Sequence, residues 1–88
     1  PGGGIMIGWG KYLRDVNVTG NLVREARVGI GVSASPGAGY AYVTNNMLSV
    51  TADGGIRAMD HNKLLGPDLA KSSSESYRNM AVFGNVSL

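Results

Sequence analysis

Apolar and polar residues alternate along this chain in short runs, and most runs end at glycine or asparagine. Two kinds of run recur. The first is a glycine followed by an alternating apolar segment: Gly4-Ile5-Met6-Ile7, Gly29-Ile30-Gly31-Val32 and Gly55-Ile56-Arg57-Ala58, with the glycines 25 and then 26 positions apart. The second begins as Val16-Asn17-Val18-Thr19-Gly20-Asn21. It returns as Ala41-Tyr42-Val43-Thr44-Asn45-Asn46 and again as Met80-Ala81-Val82-Phe83-Gly84-Asn85. Asn21, Asn46 and Asn85 are separated by 25 and 39 positions, so the last repeat carries an insertion.

Period-two alternation assigns the faces of each strand. In the first type, Ile5/Ile30/Ile56 and Ile7/Val32/Ala58 form apolar columns, and Met6/Gly31/Arg57 and Gly8/Ser33/Met59 face the other way. In the second type, Val16/Ala41/Met80 and Val18/Val43/Val82 are apolar, whereas Asn17/Tyr42/Ala81 and Thr19/Thr44/Phe83 are mixed. A period near 25 is too short for a βαβ unit, which takes about 30 residues or more, and no segment holds a helical period. The pattern predicts an all-β chain, a right-handed parallel β-helix (a solenoid) of about three coils over approximately 4–28, 29–54 and 55–88. These coils form one domain over 1–88, with an insertion at approximately 60–76. Gly20-Asn21 then reads as a corner, where glycine accepts a positive φ and asparagine tolerates it best among the rest. That tolerance accounts for Asn45 in the place of Gly20. Asn21, Asn46 and Asn85 are predicted to stack as a hydrogen-bonded amide ladder.

Composition narrows the picture. A chain of 88 residues makes one small domain, burying only about 60–65% of its unfolded surface. With no cysteine there is no disulfide, thiolate metal site or cysteine nucleophile. A net charge of +2 with acidic residues interleaved among the basic ones gives no nucleic-acid footprint. No apolar run approaches the ~20 residues of a membrane-spanning helix. The abrupt start Pro1-Gly2-Gly3-Gly4 carries no signal peptide and reads as a trimmed beginning or a fragment. Fourteen glycines, about twice the usual share, fit many tight turns.

The stretches "LRDVNVTGNLVREARVGIGVS", "PGAGYAYVTNNMLS", "GGIRAMDH" and "GPDLA" resemble a family of uncharacterised bacterial repeat proteins with a right-handed parallel β-helix. The resemblance covers about residues 4–88. Members of that family carry a twin-arginine export signal, and the matching part lies far downstream of it. The resemblance therefore implies a C-terminal repeat fragment with a periplasmic or extracellular location, although the signal itself is absent from this chain. Some members are described as cofactor-binding, but no residue here identifies a cofactor, and none is expected.

Candidate chemistry centres on the insertion. Asp60 and His61 follow the third glycine-led strand, and Arg57 lies on its outward column. A carboxylate, an imidazole and a guanidinium are the groups a polysaccharide-cleaving site uses as base, acid and charge stabiliser. The same three residues also read as part of a solvated loop in which Asp60 and His61 fix a turn, and that reading is preferred. One histidine among scattered aspartates has no metal-ligand spacing. Gly66-Pro67-Asp68-Leu69-Ala70-Lys71-Ser72 mimics the end of a phosphate-binding loop but has Ala70 where glycine is required. The tail "LAKSSSESYRN" reads as a short helix or as a polar loop, and residues 62–75 read as extra to the repeat, removable without loss of the sheets.

The expected function is a structural or ligand-binding module offering a flat outer face to glycans or to proteins. The alternative is a fragment of a carbohydrate-active enzyme, a lyase or hydrolase using Asp60, His61 and Arg57. Uncapped coil ends further predict a homo-oligomer, a dimer before a longer stack, with Leu64, Leu65 and Leu69 folding over one end.

Overall fold

The glycine-led runs and the asparagine-closed runs all become strands. A computed structural model describes residues 3–88, so Pro1 and Gly2 of the abrupt start lie outside the described residues. The strands are β1 (Gly3–Ile7), β2 (Val16–Thr19), β3 (Leu22–Ala26), β4 (Val28–Ser33) and β5 (Ala41–Thr44). They continue with β6 (Met47–Thr51), β7 (Ile56–Asp60), β8 (Lys63–Leu65), β9 (Met80–Phe83) and β10 (Val86–Ser87). One 3-10 turn, Gly10–Tyr12, joins β1 to β2, and no α-helix occurs among the described residues.

Three sheets result, in the orders β1-β4-β7-β8, β2-β5-β9 and β3-β6-β10. All pairings are parallel except that of β7 with β8. The residue columns inferred from alternation are the observed partners. Ile5 faces Ile30 and Ile30 faces Ile56; Val18 faces Val43 and Val43 faces Val82. Ile30, Val32, Val43, Leu48, Ile56 and Ala58 are fully buried, and all three sheets contribute to one core.

The solenoid expectation is corrected. The strands are short and are shared among three sheets of three or four. Three strands at the usual ~4.8 Å spacing span only about 10 Å, less than the shortest dimension of the 32 × 23 × 19 Å body. No coil axis is extended, and the all-β chain closes on itself as a globule. The last repeat causes this. After Asp60 the backbone enters a left-handed turn at His61 (φ 56°), and β8 runs back antiparallel along β7, with Met59 opposite Leu64.

The insertion is a packed cap, contrary to its reading as removable, and its tail is a series of turns. Leu69 is buried, and Leu65, Ala70 and Tyr77 pack on the core. Its polar contacts replace a missing strand. Gly29 and Ile30 donate their N–H groups to the carbonyls of Gly54 and Gly55 in the next repeat. Gly55 and Ile56 have no further repeat to meet, and their N–H groups go to Asp68 Oδ2 (2.9 Å) and Oδ1 (3.0 Å). The Ile56 carbonyl accepts the Leu69 N–H at 2.7 Å. Burial pushes the Asp68 pKa upward, but the N–H donors of Ile56, Gly55 and Ala70 outweigh it and hold the carboxyl below its usual range.

At the corner between the second and third sheets, Gly20 (φ 72°), Asn45 (φ 56°) and Gly84 (φ 70°) all take the left-handed conformation. Each turns the chain so that the following asparagine enters the interior. Asn46 is only 1% exposed. Its Oδ1 accepts the backbone N–H (2.9 Å) and Nδ2 (3.1 Å) of Asn21. Its own N–H and Nδ2 donate to Asn85 Oδ1, both at 2.9 Å, and Nδ2 also reaches the Val18 carbonyl. The amide ladder therefore exists, with Asn46 bonded on both sides.

Two outcomes follow. Asn46→Ala should lower stability in urea melts by about 1–3 kcal/mol, because it leaves partly buried groups of Asn21 and Asn85 unpaired. Asn21→Ala, at the end of the ladder, should cost less; equal, near-zero losses would mean the amides act as separate surface turns. For Asp68, the folded pKa lies below the unfolded value of about 3.9, so its contribution is present above that value and is lost as the pH falls through the folded pKa. Asp68→Asn should thus reduce stability at neutral pH and flatten the acid limb of a pH series of melts below about pH 5. An unchanged acid limb would remove the carboxylate from this role.

Candidate functional site

Asp60 ends β7, and His61 forms the turn into β8. One oxygen, Asp60 Oδ1, accepts the Ser35 hydroxyl at 2.7 Å and lies 2.9 Å from His61 Nδ1. The Ser35 hydrogen bond, and after it the one with His61, holds the Asp60 carboxyl below its ordinary pKa. The carboxylate stands between the hydroxyl and the imidazole. In a serine nucleophile the imidazole must stand between the other two, so that it can take the hydroxyl proton. Here the hydroxyl is committed to the carboxylate.

The other edge of His61, which is half-exposed, lies against the turn after β1. A Cβ at Gly10 would lie 2.6 Å from Nε2, so the ring rests directly on the 3-10 turn. Trp9 meets the same ring edge-on, with centroids 5.1 Å apart. Asp60 thus ties the end of β7 to the segment after β4, and His61 ties the β7–β8 turn to the segment after β1.

Arg57 is not brought to this pair. It lies three residues back along β7, about 10 Å at the usual rise. Its Nη1 donates to the Asp53 carbonyl and its Nη2 to the Gly66 carbonyl, both at 2.6 Å, and its Nε is buried without a partner. The guanidinium holds the start of β7 against the cap. Among the described residues no group of three or more His, Asp or Glu converges to hold a metal ion.

Among the described residues, concavities lie elsewhere, two of them on outer sheet faces. One covers the outer side of the first sheet. Met6 and Met59 close over Gly31, where a Cβ would meet the Met59 sulfur at 2.6 Å. Val28 and Leu64 complete apolar walls, and the Arg27–Asp53 ion pair (2.8 Å) sits on the rim.

The other concavity is an open groove on the outer side of the second sheet, lined by Asp15, Val16, Asn17, Tyr40 and Tyr42. Its walls are fixed by backbone contacts. The Tyr40 N–H donates to Asp15 Oδ1 at 2.9 Å, and the Tyr40 carbonyl accepts the Val16 N–H at 2.9 Å. Asn17 faces Tyr42 across β2 and β5. The rings of Tyr40 and Tyr42 meet edge to face at 5.2 Å, and the residues are 40% and 49% exposed. No hydrogen bond within the described residues engages the Asn17 amide, either phenol hydroxyl or the second Asp15 oxygen.

The alternation placed Tyr42 in a mixed column and assigned Tyr40 to no strand. The available signal was their spacing: residues two apart on extended backbone project to the same side. Comparison of the chain with protein-family models, with curated proteins and with solved structures finds no match.

Proposed function

We propose that this chain is a recognition module that binds glycans on the outer side of the second sheet, at the groove of Tyr40 and Tyr42. The observation that carries the reading is a half-exposed aromatic pair beside unengaged polar groups. A sugar ring offers C–H faces to aromatic rings and hydroxyls to amide, phenol and carboxylate groups. The Asn17 amide, the two phenols and the free Asp15 oxygen supply both donors and acceptors at the groove. The Asp15 charge favours neutral sugars over uronates. The strands beneath are held by parallel ladders, so the rings sit on a fixed platform and little freedom is lost on binding. Location outside the cytoplasm, periplasmic or extracellular, is part of this proposal and rests on the family resemblance of the repeat sequence.

The enzyme reading has less support. Its candidate residues Asp60 and His61 are committed to Ser35, Gly10 and Trp9, and Arg57 to two carbonyls.

Titration against a panel of neutral and uronate oligosaccharides tests the proposal. A neutral ligand should bind, and Tyr42→Ala should weaken it about tenfold or more, equivalent to ~1.4 kcal/mol. Asp60→Asn should leave the affinity unchanged. Binding indifferent to Tyr42, or new reducing or unsaturated ends on the bound polysaccharide, would overturn the reading.

A further inference from the structure

The outer face of the second sheet continues past the tyrosine groove. Tyr42 on β5 is in register with Ala81 on β9, and Thr44 with Phe83. Phe83 therefore stands one strand over and two residues along from Tyr42, about 8 Å away at the usual strand spacing and rise. Its neighbour Val82 faces Val43 in the core column. Alternation then turns the Phe83 ring to the outer side, where the residue is 60% exposed. Tyr40 extends the line in the other direction, two residues before Tyr42 and in contact with its ring. The three rings make one diagonal strip, roughly 14 Å from end to end.

The ground between Tyr42 and Phe83 is low. Ala81 offers only a methyl group, and Thr44 is 9% exposed, so neither rises above the rings. Beside the strip runs a polar rail on the β2 side. Asp15 is tied to Tyr40 by the backbone N–H of the tyrosine, Asn17 is in register with Tyr42, and Thr19 is in register with Thr44. These three exposed residues are two apart along the chain, so they project to the same side over about 13 Å. Thr19 Oγ1 accepts the Thr44 hydroxyl at 3.2 Å, which leaves the Thr19 hydroxyl its own proton to donate. Rail and strip are of matching length.

A single pyranose is about the size of one of these rings and cannot reach all three. We propose, resting on the glycan reading of this groove, that the ligand is an extended neutral oligosaccharide of about three or more units. It lies from Tyr40 across Tyr42 to Phe83. Successive sugars set their C–H faces on successive rings, and hydroxyls along one side of the chain meet Asp15, Asn17 and Thr19. The two tyrosine planes are 69° apart. Such a strip fits a single chain whose units change pitch, and does not fit the planar face of an insoluble polysaccharide.

Calorimetric titration with cello-, laminari- and manno-oligosaccharides, each from disaccharide to hexasaccharide, tests this. In the series that binds, the tetrasaccharide should bind about tenfold or more tighter than the disaccharide, with little further gain at greater length. Phe83→Ala should abolish that gain and leave the disaccharide affinity unchanged, whereas Tyr42→Ala should weaken every length. Phe83→Trp should keep the gain. A disaccharide that binds as tightly as the longer chains, or Phe83→Ala indistinguishable from wild type at every length, would overturn the extended ligand while leaving the groove a glycan site. Binding to insoluble polysaccharide without binding to soluble chains would overturn the single-chain geometry. If no sugar of any length or form binds, the glycan reading itself falls, and this inference with it.

Discussion

The buried amide of Asn46 is the interaction on which the arrangement of strands depends. Apolar columns alone tolerate a slip of two residues, since valine, isoleucine and alanine recur at every second position and any of them fills a core site. An amide does not. At 1% exposure it must satisfy both its donor and its acceptor groups inside the protein, and only one register gives it Asn21 on one side and Asn85 on the other. Asn46 stands between β5 and β6, so the same contacts lock the second and third sheets to each other. The hydrophobic columns supply most of the driving force. The asparagines determine which of several similar packings is adopted.

A second constraint is set where the repeat stops. A parallel ladder never completes itself, because its last strand always holds N–H and C=O groups that need a partner. The chain resolves this at the first sheet with one carboxylate. Two oxygens of Asp68 receive the N–H groups of Gly55 and Ile56 that earlier turns satisfy with backbone carbonyls. A charged acceptor makes stronger bonds than the carbonyls it replaces, but only while it is ionised. Coverage by Leu69 and Leu65 adds the apolar half of the closure.

Much of this was legible in the residues, and the remainder was hidden for specific reasons. The all-β class, the facing columns and the stacked asparagines follow from period-two alternation and from a repeat of 25 or 26 positions, both local properties of sequence. The extended coil did not survive, because its length depends on how the last repeat ends. The turn at His61 and the return of β8 depend on tertiary competition for the edge of β7. The role of Asp68 was hidden for the same reason: beside the nearby Ala70 N–H, its donors are the N–H groups of Ile56 and Gly55, 12 and 13 positions earlier. The outward place of Arg57 was readable, but its capture by two carbonyls was not, since carbonyl positions belong to the backbone path. Asp60 and His61 do come together, in a contact that neighbouring residues always permit. The tyrosine groove was hidden because Tyr40 stands just before β5, outside the alternating run.

The spacing of partners has a consequence for how such a chain can change in size. Between the first two turns every paired residue finds its partner 25 positions later, and the next turn of the first sheet uses 26. In-frame duplication of one such block of codons recreates each pairing, each corner and each asparagine together. Gain or loss of a single codon inside a strand carries the rest of that strand to the opposite face. The 39-residue interval from Asn46 to Asn85 obeys the same restriction, since its additional residues form one excursion between Asp60 and Met80 and leave the strands on either side in step. Inheritance can therefore lengthen this protein by whole turns or by loops that leave and rejoin at a corner, and by little else.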